Sequence, residues 1–206
     1  MKILALDFST LRRSAAVVDE NGDALSSVTQ EAQRAGSPFP LISEALAVAG
    51  LRPEQIDALA IGLGPGSYTG IRSSLAIAQG WNLAREIPAA GVSSAEAIAF
   101  AAFDKGLRGA AEVVIDAQRG EVYSALYNLT DFSLLRPLKI LPRPETTTLI
   151  GPEAKRWSEE GIVIEPSAAI IGRLASREKN FGPPERLEAI YLREPSFAKA
   201  PAIRHA

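Results

Sequence analysis

The hydrophobic pattern opens with Ile3 to Phe8, apolar apart from Asp7 near its end, which predicts a buried strand. Ser14 to Val18 and Ala24 to Gln30 read as two further strands, and Asp19-Glu20-Asn21-Gly22-Asp23 between them is a hairpin signal. A meander of strands before any helix differs from a dinucleotide-binding fold, which alternates strand and helix from the outset. The polar stretch Glu31 to Pro40 is broken by Gly36, Pro38 and Pro40. Leu41, Ile42, Ala45, Leu46 and Ala49 then recur at helical spacing, and Gly50 suits the stop. Arg52 to Gln55 reads as a short capped turn, and Ile56 to Ile61 as the next strand.

The stretch from Ile61 to Arg85 predicts strand, glycine-rich turn and helix. The turn holds Gly62, Gly64, Pro65 and Gly66, and the helix covers Thr69 to Arg85, with Ser67 or Thr69 as its N-cap. Ile71, Leu75 and Ala78 mark one apolar line along it, while Ser73, Ala76, Gly80 and Ala84 put small side chains on a neighbouring line. A glycine inside a helix costs about 1 kcal/mol against alanine. Gly80 therefore points to a close backbone approach, either inside the domain or at a subunit contact shared with the helix from Leu41 to Ala49.

Ile87 to Val92 predicts a short strand, Ser93-Ser94-Ala95-Glu96 resembles a capping box, and an alanine-rich helix runs to Phe103. Asp104 to Gly109 combines charge with glycine and divides the chain into residues 1–104 and a smaller unit, 105–206. The second unit also opens on strands, Glu112 to Asp116 and Glu121 to Tyr127, around the turn Ala117 to Gly120. A third strand, Leu134 to Leu141, contains Pro137 and is followed by Pro142 and Pro144, which favours an edge. Thr146 to Gly151 predicts a strand and turn, Glu153 to Glu160 a short helix, and Gly161 to Glu165 a strand. Ser167 is the expected N-cap of a helix from Ala168 to Glu178 with Ile170, Ile171, Leu174 and Ala175 on its core face. Leu187 to Leu192 is short and mixed, and the tail from Pro195 is expected to be extended or disordered.

Composition narrows the chemistry. With 206 residues and 47% apolar side chains the chain can bury a sizeable core, and its net charge of −2 argues against a mainly electrostatic nucleic-acid binder. The absence of cysteine removes disulfides and thiolate chemistry. The single histidine is the penultimate residue, His205, which leaves little for a histidine metal site or a Ser-His-Asp triad. No apolar run is long enough to span a membrane, and MKILALDF enters a strand pattern without a signal-peptide cleavage region, so the expected compartment is the cytosol.

Two acidic residues close equivalent strands: Asp7, followed by Ser9 and Thr10, and Asp116, followed by Arg119. One acid per half, facing a cleft with phosphate and Mg²⁺, is what an actin-like nucleotide-binding fold needs. The competing reading is that each aspartate caps its own turn, and neither turn has an early glycine to let backbone approach phosphate. Gly64 to Gly70 could present backbone N–H groups to an anion, with Arg72 the nearby positive charge. No lysine lies between Ile61 and Arg85, so this is not a Walker A loop, and the glycine spacing does not fit a dinucleotide fingerprint. Ser9 or Ser67 as nucleophile would need an Asp or Lys base and has no GxSxG elbow. The candidate anion or nucleotide contacts are Asp7, Ser9, Thr10, Gly64, Gly66, Ser67, Arg72, Asp116 and Arg119, and no metal-ligand set is legible.

MKILALDFST, IGLGPGSYTGIR, IDAQRGEVY and the late YLRE together resemble the TsaB (YeaZ) family. These are bacterial subunits of the machinery that makes threonylcarbamoyladenosine in tRNA, at the adenosine beside the anticodon. The resemblance implies an α/β, actin-like fold of the sugar kinase and heat-shock ATPase class, with two lobes, each a mixed sheet with packed helices. It implies a non-catalytic chain that forms a heterodimer with a TsaD-type catalytic subunit and works with a TsaE-type ATPase. By the same resemblance the partner interface comprises Leu41, Ala45, Ile71, Ser73, Ala76, Ile77, Gly80 and Ala84. No cofactor is expected in the isolated chain; ATP or ADP and metal would belong to the complex. A homodimer of the free chain through the same helices and a tRNA contact within the complex are further expectations. Catalytic paralogues carry a histidine pair on the first long helix, whereas Arg34 to Ala49 has no histidine here. Many members also keep a histidine just before that helix, where this sequence has Ala35-Gly36-Ser37-Pro38. The alternative is an actin-like ATPase or sugar kinase that uses Asp7 and Asp116.

Overall fold

The computed structural model describes residues 1–31, 36–146 and 148–193. Ala35, the tail from Pro195 and His205 lie outside the described residues.

Five strands form the first sheet: β1 (Lys2–Asp7), β2 (Arg12–Asp19), β3 (Ala24–Glu31), β4 (Ala58–Gly62) and β5 (Ala89–Val92), in the order β3-β2-β1-β4-β5. The opening meander is antiparallel, and β4 and β5 then add in parallel, with Leu4 opposite Val17 on one side and Leu59 on the other. Successive side chains of a strand point to opposite faces. Leu4 and Leu6 therefore enter a core with α1 (Phe39–Val48) and α2 (Tyr68–Arg85), while Ile3 and Ala5 enter a second core with α3 (Ser94–Asp104). Burial on both faces explains why β1 reads as an unbroken apolar run rather than an alternation.

The second sheet, in the order β8-β7-β6-β9, consists of β6 (Ala110–Asp116), β7 (Val122–Asn128), β8 (Ser133–Leu141) and β9 (Leu149–Ile150). Pro137 lies in β8, which is an edge strand, as expected of a residue without a backbone donor. Val113, Ile115 and Ala125 of this sheet pack with Ala95, Ile98, Ala99 and Ala102 of α3, so that one helix serves the cores of both sheets. Two mixed sheets with packed helices match the two-lobed actin-like architecture.

Several expectations shift in the last third. The predicted strand from Thr146 contracts to β9, the helix from Glu153 to α4 (Ala154–Trp157), and the strand Gly161 to Glu165 to a single bridge between Ile150 and Ile162. The helix from Ala168 forms as α5 (Ala168–Glu178), but it packs on the first sheet, with Ala168, Ile171, Leu174 and Ala175 against Ile3, Ala5 and Val18. Its chain-order neighbours thus belong to one sheet and its packing partners to the other. Ser167 makes no capping bond through its side chain; Ser14 Oγ of β2 instead accepts from Ala168 N at 2.8 Å. Among the described residues, no helix is long and apolar enough to cross a membrane.

Candidate functional site

The carboxyl end of β1 and the turn before α2 are built into one another. Asp7 is fully buried. Its Oδ1 accepts from Ser9 N at 3.0 Å and Ser9 Oγ at 2.7 Å, and its Oδ2 accepts from Ser94 Oγ at 2.7 Å. Burial pushes the Asp7 carboxyl above its ordinary range despite these donors. Both oxygens are directed into the protein, so the residue present does not fit the role of a Mg²⁺-facing acid.

The glycine-rich turn is occupied in the same way. Ser67 N donates to Ser9 O at 2.6 Å, Gly64 N to Ser94 Oγ at 3.2 Å, and Gly70 N to the N-cap Ser67 Oγ at 3.3 Å. Any Cβ at Gly66 or Gly70 would run into the backbone carbonyl of Ser9 or Phe8, respectively. Gly66 also sits at φ +148°, a conformation costly for other residues. The glycines therefore admit the Phe8–Ser9 backbone just after β1, and three amides that could have faced an anion are spent within the fold.

A cleft of about 1000 Å³ lies beside this turn, between the two sheets. Ser9, Thr10, Gly66, Ser67, Arg72, Asp116 and Arg119, seven of the predicted contacts, line it. Asp7 and Gly64 do not. Arg72 donates to the Tyr68 hydroxyl at 2.5 Å and lies 5.0 Å from the Tyr68 ring centre. Asp116 accepts from Gln118 N at 3.0 Å and pairs with Arg156 at 3.4 Å, which is the turn-capping arrangement.

Sequence reasoning missed four contributors to this region. Ser94 reaches Asp7 from α3. Glu153, before α4, accepts from Asp116 N at 3.0 Å. Burial, with Asp116 and Glu165 adding negative charge nearby, pushes the Glu153 carboxyl up to about 7. Tyr191 and Arg193 line the cleft as well. The YLRE segment contained those two residues, but a short mixed stretch carries no periodicity that would place them. Among the described residues, no three His, Cys, Asp or Glu side chains group as metal ligands would.

The predicted interface residues separate into two sets. Leu41, Ala45, Ile71 and Ile77 face the protein's own core, with exposures of 2%, 0%, 0% and 7%. That corrects their placement as contact residues: an apolar line at helical spacing is first satisfied by the sheet beneath it. Ser73, half-buried, and Ala76, Gly80 and Ala84, exposed, lie on the outward side of α2. Among the described residues a Cβ at Gly80 would meet nothing within 4 Å, so no close approach among them accounts for the glycine.

Comparison with known proteins gives findings of three kinds. A family model described as TsaD, tRNA N6-adenosine threonylcarbamoyltransferase, matches residues 36–135. The tRNA threonylcarbamoyladenosine biosynthesis protein TsaB of Haemophilus influenzae is 42% identical over 127 residues, which are 60% of this chain and 52% of that protein. Its Escherichia coli namesake is 39% identical over 132 residues, 62% of this chain and 55% of that one. The chain thus spans about half the length of the curated relatives it matches. Among solved structures, YeaZ from Pseudomonas aeruginosa superposes with a TM-score of 0.79 at 26% identity, covering 93% of this chain and 99% of that one.

Proposed function

We propose that the chain is a member of the TsaB (YeaZ) family and a non-catalytic subunit in the formation of threonylcarbamoyladenosine beside the anticodon of tRNA. In this reading it binds and activates a TsaD-type threonylcarbamoyltransferase, and a TsaE-type ATPase completes the system. Any ATP, ADP or metal acts in the assembly.

The observation that carries the reading is the outer side of α2. Ala76, Gly80 and Ala84 leave the helix backbone accessible there, and Leu83, 85% exposed, projects beside them. Small residues with one large apolar side chain are suited to a second helix lying close, because little side-chain bulk separates the backbones. Phe39 and Val48 of α1, 59% and 61% exposed, are further apolar side chains at the surface. The buried, internally bonded Asp7 supports the non-catalytic part and counts against the ATPase or sugar kinase alternative.

The test is reconstitution. Purified alone, the chain should neither hydrolyse ATP nor modify tRNA; with TsaD-type and TsaE-type proteins, modification should appear and depend on it. Robust turnover by the isolated chain, or full modification without it, would overturn the proposal.

A further inference from the structure

The segment after α5 returns along the first sheet and then changes partner. Gly182 exchanges backbone hydrogen bonds with Ala89 of β5 at 2.8 and 3.0 Å, and Glu185 accepts from Asn82 of α2 at 2.8 Å. Leu187 packs against the first-sheet core, and Ile190 N donates to Leu63 O at 2.9 Å, in the turn before α2. The Tyr191 ring then lies 5.3 Å from that of Tyr68, in the first turn of α2. Two residues on, the Arg193 guanidinium donates to Ala117 O at 3.1 Å and pairs with Glu121, both flanking the turn between β6 and β7 of the second sheet.

Within four residues the chain thus passes from the first sheet to the second, and both Tyr191 and Arg193 line the cleft between them. We infer that residues 190–193 are a latch across the cleft mouth that fixes how far the two sheets stand apart. Its two ends differ in kind. The Ile190 end is a backbone hydrogen bond backed by packed apolar side chains. The Arg193 end is an ion pair whose side chains remain 29% and 37% exposed. A solvated pair of that sort is worth little and exchanges readily. Elsewhere the sheets share α3, whose side chains are buried in both cores, so that side is fixed. The Arg193–Glu121 end is the releasable contact, and its release opens the cleft beside Tyr68 and the start of α2. A ligand or partner that competes for Glu121 or Ala117 O would shift the population of the open form, in proportion to its preference for that form.

The native chain has no cysteine, so spin labels can be placed on Ser27→Cys of β3 and Leu135→Cys of β8 without background, in samples diluted with unlabelled protein. Arg193→Ala should broaden the inter-label distance distribution and shift it to longer values, and should speed exchange of the Ile190 amide about tenfold. Reversing the pair, Arg193→Glu with Glu121→Arg, should return the distribution toward the native one relative to Arg193→Glu alone. Should Arg193→Ala fail to fold, Tyr191→Ala supplies the same measurement from the other end. An unchanged distribution in a folded Arg193→Ala variant overturns the latch, as does failure of both variants to fold, which would make the segment core rather than a releasable contact.

Discussion

Ser94 Oγ donates to Asp7 Oδ2 at 2.7 Å, which ties the first residue of α3 to the last residue of β1 across two elements of the first lobe. With Ser9 donating twice to the other oxygen, the carboxylate is a buried junction. Asp7→Ala would leave Ser9 N, Ser9 Oγ and Ser94 Oγ facing a dry cavity, and each buried group left unpaired costs about 1–3 kcal/mol. The variant should lose roughly 3 kcal/mol of stability in urea unfolding. Asp116→Ala, at a side chain 28% exposed, should lose less than about 1 kcal/mol. A paired catalytic role predicts the opposite profile: equal loss of ATP turnover in both variants and little change in stability in either.

A second junction holds the other sheet together. Glu112 is fully buried on β6; its carboxylate accepts from Ser124 Oγ, from Arg136 at 2.9 Å, and from the Glu145 and Thr146 amides at 2.9 and 2.8 Å. Burial alone would raise this carboxyl, but the combined donors hold it below its ordinary range. The stabilisation is therefore present above the unfolded value near 4.5 and is lost as pH falls through the lower folded value. Glu112→Ala removes one partner of a buried ion pair and should cost about 3–5 kcal/mol at neutral pH. Urea unfolding at pH 7 and at low pH checks it: the gap between variant and native protein should narrow in acid.

What could be read beforehand was whatever depends on near neighbours in the chain. Periodicity placed β1, α1 and α2, Ser67 capped its helix as its position suggested, and Pro137 went to an edge because it lacks a donor. The errors arise where a distant segment supplies the partner. Ser14 caps α5 from 154 positions away, and no local signal distinguishes that from a cap by Ser167. Gly66 and Gly70 would look the same whether they admit a phosphate or the Phe8–Ser9 backbone. Leu41 and Ile71 are instructive in another way: their helical spacing already implied an inward face, and only the small-residue line was available as surface.

Glu153 gives a pH dependence of the opposite sign. Its carboxyl ionises near 4.5 when unconstrained and about 7 in the folded chain. Between those values the folded protein keeps a proton that the unfolded chain has released, so stability falls as pH rises through the window. The substitution Glu153→Gln keeps a side-chain acceptor for Asp116 N and removes the charge. That variant should therefore match the native protein near pH 4.5 and exceed it at pH 8. Because the group is only part-buried, the gain is about 1 kcal/mol after screening, or about 2–4 °C in Tm. Thermal melts across this range that show a constant difference would remove the assignment.

Gly80 separates packing inside the chain from packing against a partner. Among the described residues nothing lies within 4 Å of a Cβ placed there, so they leave room for a side chain. Gly80→Ala should stabilise the free protein by about 1 kcal/mol, the helix-propensity difference. Gly80→Leu should also fold, since none of the described residues obstructs it. The two variants part company only if a second helix lies against this face: leucine would then hold the backbones apart, while alanine adds one methyl group. Copurification with the TsaD-type subunit should be lost with leucine and largely kept with alanine, with the melting temperature of each free variant at or above native. Retention of the complex by Gly80→Leu would place the partner elsewhere on the surface, and a fall in melting temperature would mean that the space beside Gly80 is filled by the chain itself.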